Sequence, residues 1–242
     1  MLPGREKFIV FKQIAAGIAA LLTGSFASAG TPVVGEVACP VGGETIETVS
    51  TMSCSVYPER SMSLAPSSSC DFVTRLPECP GNGLPLFREF SETDVAALSE
   101  LIKTPEFGAL RDKSRYRRAV FLARKLGDTA DQITGIFLHG LWYDDETFFA
   151  DATFRDAFVA HLSLENLSTE TPNDAYLLAI GAYVAAMAGD ATTARQRLAD
   201  IRTGFMDRSA HLDAYIDAVS ACVDTPKATA CHFRSPFKHD VE

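Results

Sequence analysis

Basic residues are scarce in this sequence. Against 31 aspartates and glutamates stand 22 lysines and arginines, a formal net charge of −9 over 242 residues. Binding to DNA or RNA rests largely on Lys and Arg contacts to phosphate, so no broad face for a polyanion is available. The local patterns of common chemistries are also missing. No Gly-x-Ser-x-Gly elbow, Walker loop, Gly-x-Gly-x-x-Gly fingerprint or His-Glu-x-x-His pair occurs, and no cofactor is expected. An active site assembled from distant residues is not excluded by these absences. No apolar run approaches the roughly 20 residues that span a bilayer. With 47% apolar and 22% charged residues, the chain has the make-up of an ordinary globular protein, not a disordered one. Its length fits one large domain, or a small module plus a medium one.

What is present begins with a leader. Arg5, Lys7 and Lys12 make a basic start, Ile14 to Leu22 a short apolar run, and Ala27-Ser28-Ala29 a small-x-small cleavage site. Together they read as a secretory signal over residues 1–29. Cleavage after Ala29 removes Arg5, Lys7, Lys12 and Glu6, leaving 19 basic and 30 acidic residues and a net charge of −11. A lipid anchor would need a cysteine directly after the signal, and the first, Cys39, lies ten residues further on. The expected product is periplasmic or secreted, with no transmembrane segment. In an oxidising compartment the six cysteines, Cys39, Cys54, Cys70, Cys79, Cys222 and Cys231, favour three disulfides among fifteen connectivities. Cys222 and Cys231, nine positions apart, form the natural local pair; the other four cluster within 39–79.

Two segments in that cluster are alike: Cys39-Pro40-Val41-Gly42-Gly43 and Cys79-Pro80-Gly81-Asn82-Gly83, both C-P-x-x-G. They resemble the C-P-x-C-G knuckles of a zinc ribbon, whose glycine permits the turn that aims backbone N–H groups at sulfur. Here Gly42 and Asn82 stand at the second ligand positions, so each knuckle keeps one cysteine. The ribbon likeness implies that the knuckles face each other. It favours Cys39–Cys79 as a covalent substitute for the metal, with Cys54–Cys70 closing the intervening loop. The other local pairings, and a four-thiolate zinc site from all four cysteines, remain alternatives. Between the knuckles, Glu44 to Val49 reads as a half-exposed strand and residues 60–70, rich in serine, as a loop.

With Leu76-Pro77-Glu78-Cys79-Pro80 leading to Asn82-Gly83-Leu84-Pro85-Leu86-Phe87 and a helical remainder, the plan resembles a group of uncharacterised bacterial proteins. In these a zinc-ribbon-like start precedes tetratricopeptide-like helices. The resemblance covers about fifty residues well and the helical part loosely, and it implies a fold without an enzymatic activity.

From Ser91 onward the apolar period is near 3.6. One helix starts at Ser91 with Val95, Leu98, Leu101 and Ile102 on one face. A second is expected over 112–126, ended by Gly127, and a third, capped by Asp128, carries Ile133, Ile136, Phe137 and Leu141. A fourth spans about 147–166, a fifth starts at Thr171-Pro172 and stops at Gly189, a sixth is capped by Asp190, and a seventh spans about 208–223. Residues 175–201 resemble a single tetratricopeptide unit, with small residues at Ala182 and Ala194 about a Gly189-Asp190 turn. The fold expected is mainly α: a small disulfide-stapled ribbon-like module at 30–90, about seven helices in antiparallel hairpins at 91–224, and a tail at 225–242.

Chemistry-bearing candidates are few. His139 lies near the only tryptophan, Trp142, and is followed by Asp144, Asp145 and Glu146. The stretch offers a general base or a cation site, or else packs at a helix end with solvated acids. His161 reads as a core-edge residue, and His232 with His239 as part of a basic tail. Arg111 to Arg118 is the one basic cluster, either a site for an acidic partner or the polar face of a helix. The function expected is a non-enzymatic binding or scaffold protein that holds a protein or peptide on the helical hairpins. The alternatives are a small hydrolase using His139 with Asp144 or Asp145, and a metal-binding protein using the N-terminal cysteines. Two measurements test the export reading. The purified exported chain should begin at Gly30 on N-terminal sequencing, and its cysteines should resist alkylation until a reductant is added; a chain beginning at Met1 with free thiols would overturn it.

Overall fold

Serine, threonine and aspartate side chains decide where the helices begin. The computed structural model describes residues 30–163, 167, 171–205 and 208–237. The leader, His239 and the far end of the expected fourth helix lie outside these. Ser91 and Asp94 form a reciprocal capping box at the start of α1 (Glu92–Leu101), satisfying N–H groups that a helix end leaves orphaned. Thr104 caps a short α2 (Pro105–Gly108), and Ser114 caps α3 (Arg115–Leu126), which Gly127 closes. Thr171 caps α7 (Pro172–Met187), Asp190 caps α8 (Ala191–Gly204) and Ser209 caps α9 (Ala210–Asp224).

Three expectations on the helices are corrected. The second helix starts at Arg115 rather than 112, because Ser114 accepts from the N–H groups of Tyr116 and Arg117. Helix α4 (Ala130–Tyr143) is capped by Thr129 with Gln132, not by Asp128; the Asp128 carboxylate is held instead by the Arg88 guanidinium at 2.9–3.2 Å. The single helix expected over 147–166 is two among the described residues, α5 (Asp145–Ala150) and α6 (Ala152–His161). The break falls at Asp151, whose carboxylate accepts from the Phe154 N–H at 3.1 Å and from Arg117 at 2.5 and 2.7 Å.

The core is built around α7. Eleven of its sixteen residues are buried, including Tyr183, Ala182 and Leu178, as befits a helix that is apolar on every side. It packs against α6, α8 and α9, and Ala194 of α8 is fully buried beside it. Arg197 of α8 is buried too. Its guanidinium donates to the carbonyls of Val159 and Leu162 at the end of α6, where a helix leaves acceptors unpaired and its dipole favours a cation. Gly181 of α7 makes the room: a Cβ there would lie 2.3 Å from an Arg197 nitrogen.

The N-terminal part is a two-stranded antiparallel hairpin, β1 (Thr31–Ala38) with β2 (Thr45–Ser53), and a second sheet in the order β4-β3-β5. The expected strand at Glu44–Val49 is thus the start of a longer one. The expected loop at 60–70 carries the end of β3 (Val56–Ser61) and β4 (Pro66–Ser68). The partner β5 (Pro236–Phe237) comes from the tail and pairs with Arg60 and Ser61. Two buried hydroxyls fasten the tail and β3 to the helices: Tyr215 donates to the Met62 carbonyl and Tyr183 to the Cys231 carbonyl, each at 2.8 Å.

Disulfides join Cys39 to Cys79, Cys54 to Cys70 and Cys222 to Cys231. In the chain-entropy view loops of these lengths contribute about 4, 3 and 2.5 kcal/mol. The turns around Cys39 and Cys79 have the same hydrogen bonds: Gly43 donates to the Cys39 carbonyl and Gly83 to the Cys79 carbonyl. Both glycines have positive φ, 76° and 72°, which a side chain would resist. Asn82 spans the two turns, donating to the Val41 carbonyl at 2.6 Å while its oxygen accepts from Leu84. Replacing Gly181 by Val, or Arg197 by Met, should each cost about 2–4 kcal/mol, the first by overpacking and the second by stranding two carbonyls. Urea unfolding checks this, and a loss below about 0.5 kcal/mol in both would refute the account.

Candidate functional site

Helix α4 carries the histidine flagged in the sequence. His139 projects between the rings of Trp142 and Tyr143, at centroid distances of 6.1 and 5.5 Å. Part of the residue stays open to solvent, yet desolvation of the ring, aided by the Arg75 charge, holds its pKa below the usual value. Asp145 is turned away from it. That carboxylate is buried and accepts from Arg234 of the tail at 2.7 and 2.9 Å. Asp144 ends α4, where its backbone N–H reaches the Gly140 carbonyl. Among the described residues no carboxylate hydrogen-bonds His139, so the geometry assembles no acid–base pair from these three. Trp142 donates to the Ser63 carbonyl at 2.9 Å and so ties α4 to the β3–β4 turn.

The basic cluster is engaged inside the protein. Arg118, 5% exposed, donates to the carbonyls of Gly83, Arg111 and Lys113 and pairs with the Glu78 carboxylate. Arg115 reaches the Leu76 carbonyl at 2.9 Å, and Arg117 holds Asp151. Arg115 and Arg118 thus bolt α3 to the second Cys-Pro turn and Arg117 bolts it to the α5–α6 junction, while Arg111 and Lys113 stay exposed. A cavity of about 550 Å³ beside them is lined by Arg75, Arg115, Tyr143 and Asp144, with charges of both signs. His161 bonds the Thr134 hydroxyl at 2.8 Å and packs on Phe137. His232 accepts from the Arg234 N–H. All six cysteine sulfurs are in disulfides, and among the described residues no three His, Cys, Asp or Glu side chains gather as a metal site would require.

What the molecule does expose is apolar. Among the described residues Val33, Val34, Val37, Met52, Val56 and Phe72 are the exposed large hydrophobic side chains, and all lie in the N-terminal β region. Every residue of β1 is exposed, and its hydrogen bonds run to β2. Met52 is the extra residue where the register shifts between Thr31 and Pro32, and it stands 80% exposed. The helical hairpins offer nothing comparable, because their apolar faces are turned into the core. This surface was not singled out from the sequence, although Val33-Val34-Gly35-Glu36-Val37 carries the β-branched signature of a strand. No known family pattern, curated protein or solved structure matches the chain.

Burial holds both His139 and His161 below the ordinary histidine range, so the unfolded chain takes up protons first as the pH falls. Stability on their account is therefore full above about pH 6.5 and declines below it. Asp94 and Asp151 are held below the usual carboxylate range beside Arg88 and Arg117 respectively; their contribution is full above about pH 4 and is lost only as the pH falls further. Melting temperatures at about pH 7.5 and 5.5 should show the decline, and it should shrink in the His139→Asn, His161→Asn double variant; an unchanged decline would refute the assignment.

Proposed function

We propose that this is an exported, non-enzymatic binding protein that holds a protein partner on its β1–β2 hairpin, with the helices as the scaffold that presents it. The observation that carries the reading is the gathering of the exposed large apolar side chains on that region. Single hydrophobics scattered over a surface are ordinary, while three on one short strand, Val33, Val34 and Val37, support a contact site there. A two-stranded hairpin is also marginal by itself, and a strand edge left open invites another strand. Three disulfides suit a periplasmic or secreted address. In this reading the paired Cys-Pro turns descend from a zinc ribbon whose metal a disulfide replaced. The α7–α8 hairpin about Gly189-Asp190 is then tetratricopeptide-like, its small residues Ala182 and Ala194 serving packing and not ligand capture.

The test uses the photo-crosslinker p-benzoylphenylalanine at position 34 or, on the exposed face of α8, at position 196, in the full exported chain. A discrete adduct is expected from position 34, weakened by Val33→Ser with Val37→Ser. Adducts from position 196 alone would move the site to the helices and overturn the reading.

A further inference from the structure

The chemistry of the partner can be read from the face that β1 shows to solvent. Side chains alternate along a strand, so Val34 and Glu36 share one face, and the register places Val49 opposite Val34 and Glu47 opposite Glu36. On the other face Val37 stands opposite Ile46, and Ile46 packs on the cluster around Cys39 and Cys79. The outward face therefore carries an apolar pair followed by two carboxylates directly across from each other. Like charges at that position oppose the hairpin, and no lysine or arginine of the chain forms an ion pair with Glu36 or Glu47 among the described residues.

We infer that the partner is an extended segment that adds to the open edge of β1 and brings a lysine or arginine opposite Glu36, with an apolar residue two positions away opposite Val34. The inference rests on the hairpin reading above and adds the charge and spacing. Strand addition supplies backbone hydrogen bonds, and alternate side chains supply specificity. A cation in that register sits beside Glu36, one strand further from Glu47, and offsets the negative charge of the pair. A second copy of this chain fits poorly: β1 against β1 brings four carboxylates, Glu36 and Glu47 from each copy, into one sheet. Each copy, once cleaved after Ala29, would add its own net charge of −11. An anionic membrane is disfavoured on the same ground.

The probe is a fluorescein-labelled peptide, Thr-Lys-Thr-Val-Thr-Lys-Thr-Val with blocked ends, compared with the same peptide carrying Glu for Lys. Binding to the full exported chain is read by fluorescence anisotropy. The Lys peptide should bind about tenfold or more tightly than the Glu peptide, with the gap narrowing at high salt. Glu36→Lys with Glu47→Lys should reverse the preference, and Glu36→Gln with Glu47→Gln should abolish it; both pairs are exposed, and melting curves confirm that the variants fold. Equal affinity for the two peptides overturns the inference. No binding of either peptide also overturns it, and the hairpin reading then survives if crosslinking at position 34 persists and falls if it does not. A concentration-dependent dimer in sedimentation, lost in Val34→Lys, would identify a second copy as the occupant and overturn it as well.

Discussion

Burying α7 on all sides is the constraint to which the rest of the helical region answers. A helix without a polar stripe cannot lie on a surface, so α6, α8 and α9 must surround it. That leaves α6 ending against α8, with carbonyls that have no partner within their own helix. A buried arginine from α8 is the remedy, and it fits because α7 has no side chain at Gly181. The guanidinium remains charged although burial lowers its pKa, since an arginine starts far above neutrality. Packing, capping and one missing methyl group are thus a single arrangement rather than three.

The same logic joins the two halves of the molecule. Arg118 reaches from α3 into the second Cys-Pro turn, and Trp142 and Tyr215 reach the β3–β4 region from α4 and α9. Each spans a long stretch of chain and each ends on a backbone carbonyl. Carbonyls in irregular segments are the groups that burial most readily leaves unpaired, so side-chain donors from rigid helices are a natural way to hold such segments still. The hairpin β1–β2 is the exception. It receives no such fastening along β1, and the valines of that strand stay in solvent.

Local chemistry was legible in the sequence and distant chemistry was not. Ser91, Thr171-Pro172 and Asp190 mark helix starts because the cap and the N–H groups it serves lie within a few residues. Asp128 misled because its neighbour Thr129 caps equally well, and the choice falls to Arg88, forty positions away. The break at Asp151 depends in the same way on Arg117. The Ser-rich stretch after Arg60 hid β4 although its partner β3 is only a few residues upstream, because a proline among serines reads locally as a turn. Arg111 to Arg118 looked like a surface cluster, and nothing in its own spacing reveals that Arg118 is buried. For the candidate site, the carboxylates after His139 were visible while the arginine that claims Asp145 was not. The valines of β1 were present as a pattern, but exposure is a property of the whole fold.

The closing strand has a consequence for how the protein is made. β5 is synthesised long after β3 and β4, whose sheet it completes; Ser63 and Phe233, which meet beside it, are 170 residues apart. The β3–β4 sheet therefore cannot reach its final state until the segment around β5 has emerged from the ribosome. Closure over so long a separation is slow, so the segments it joins stay loosely packed until both have been made.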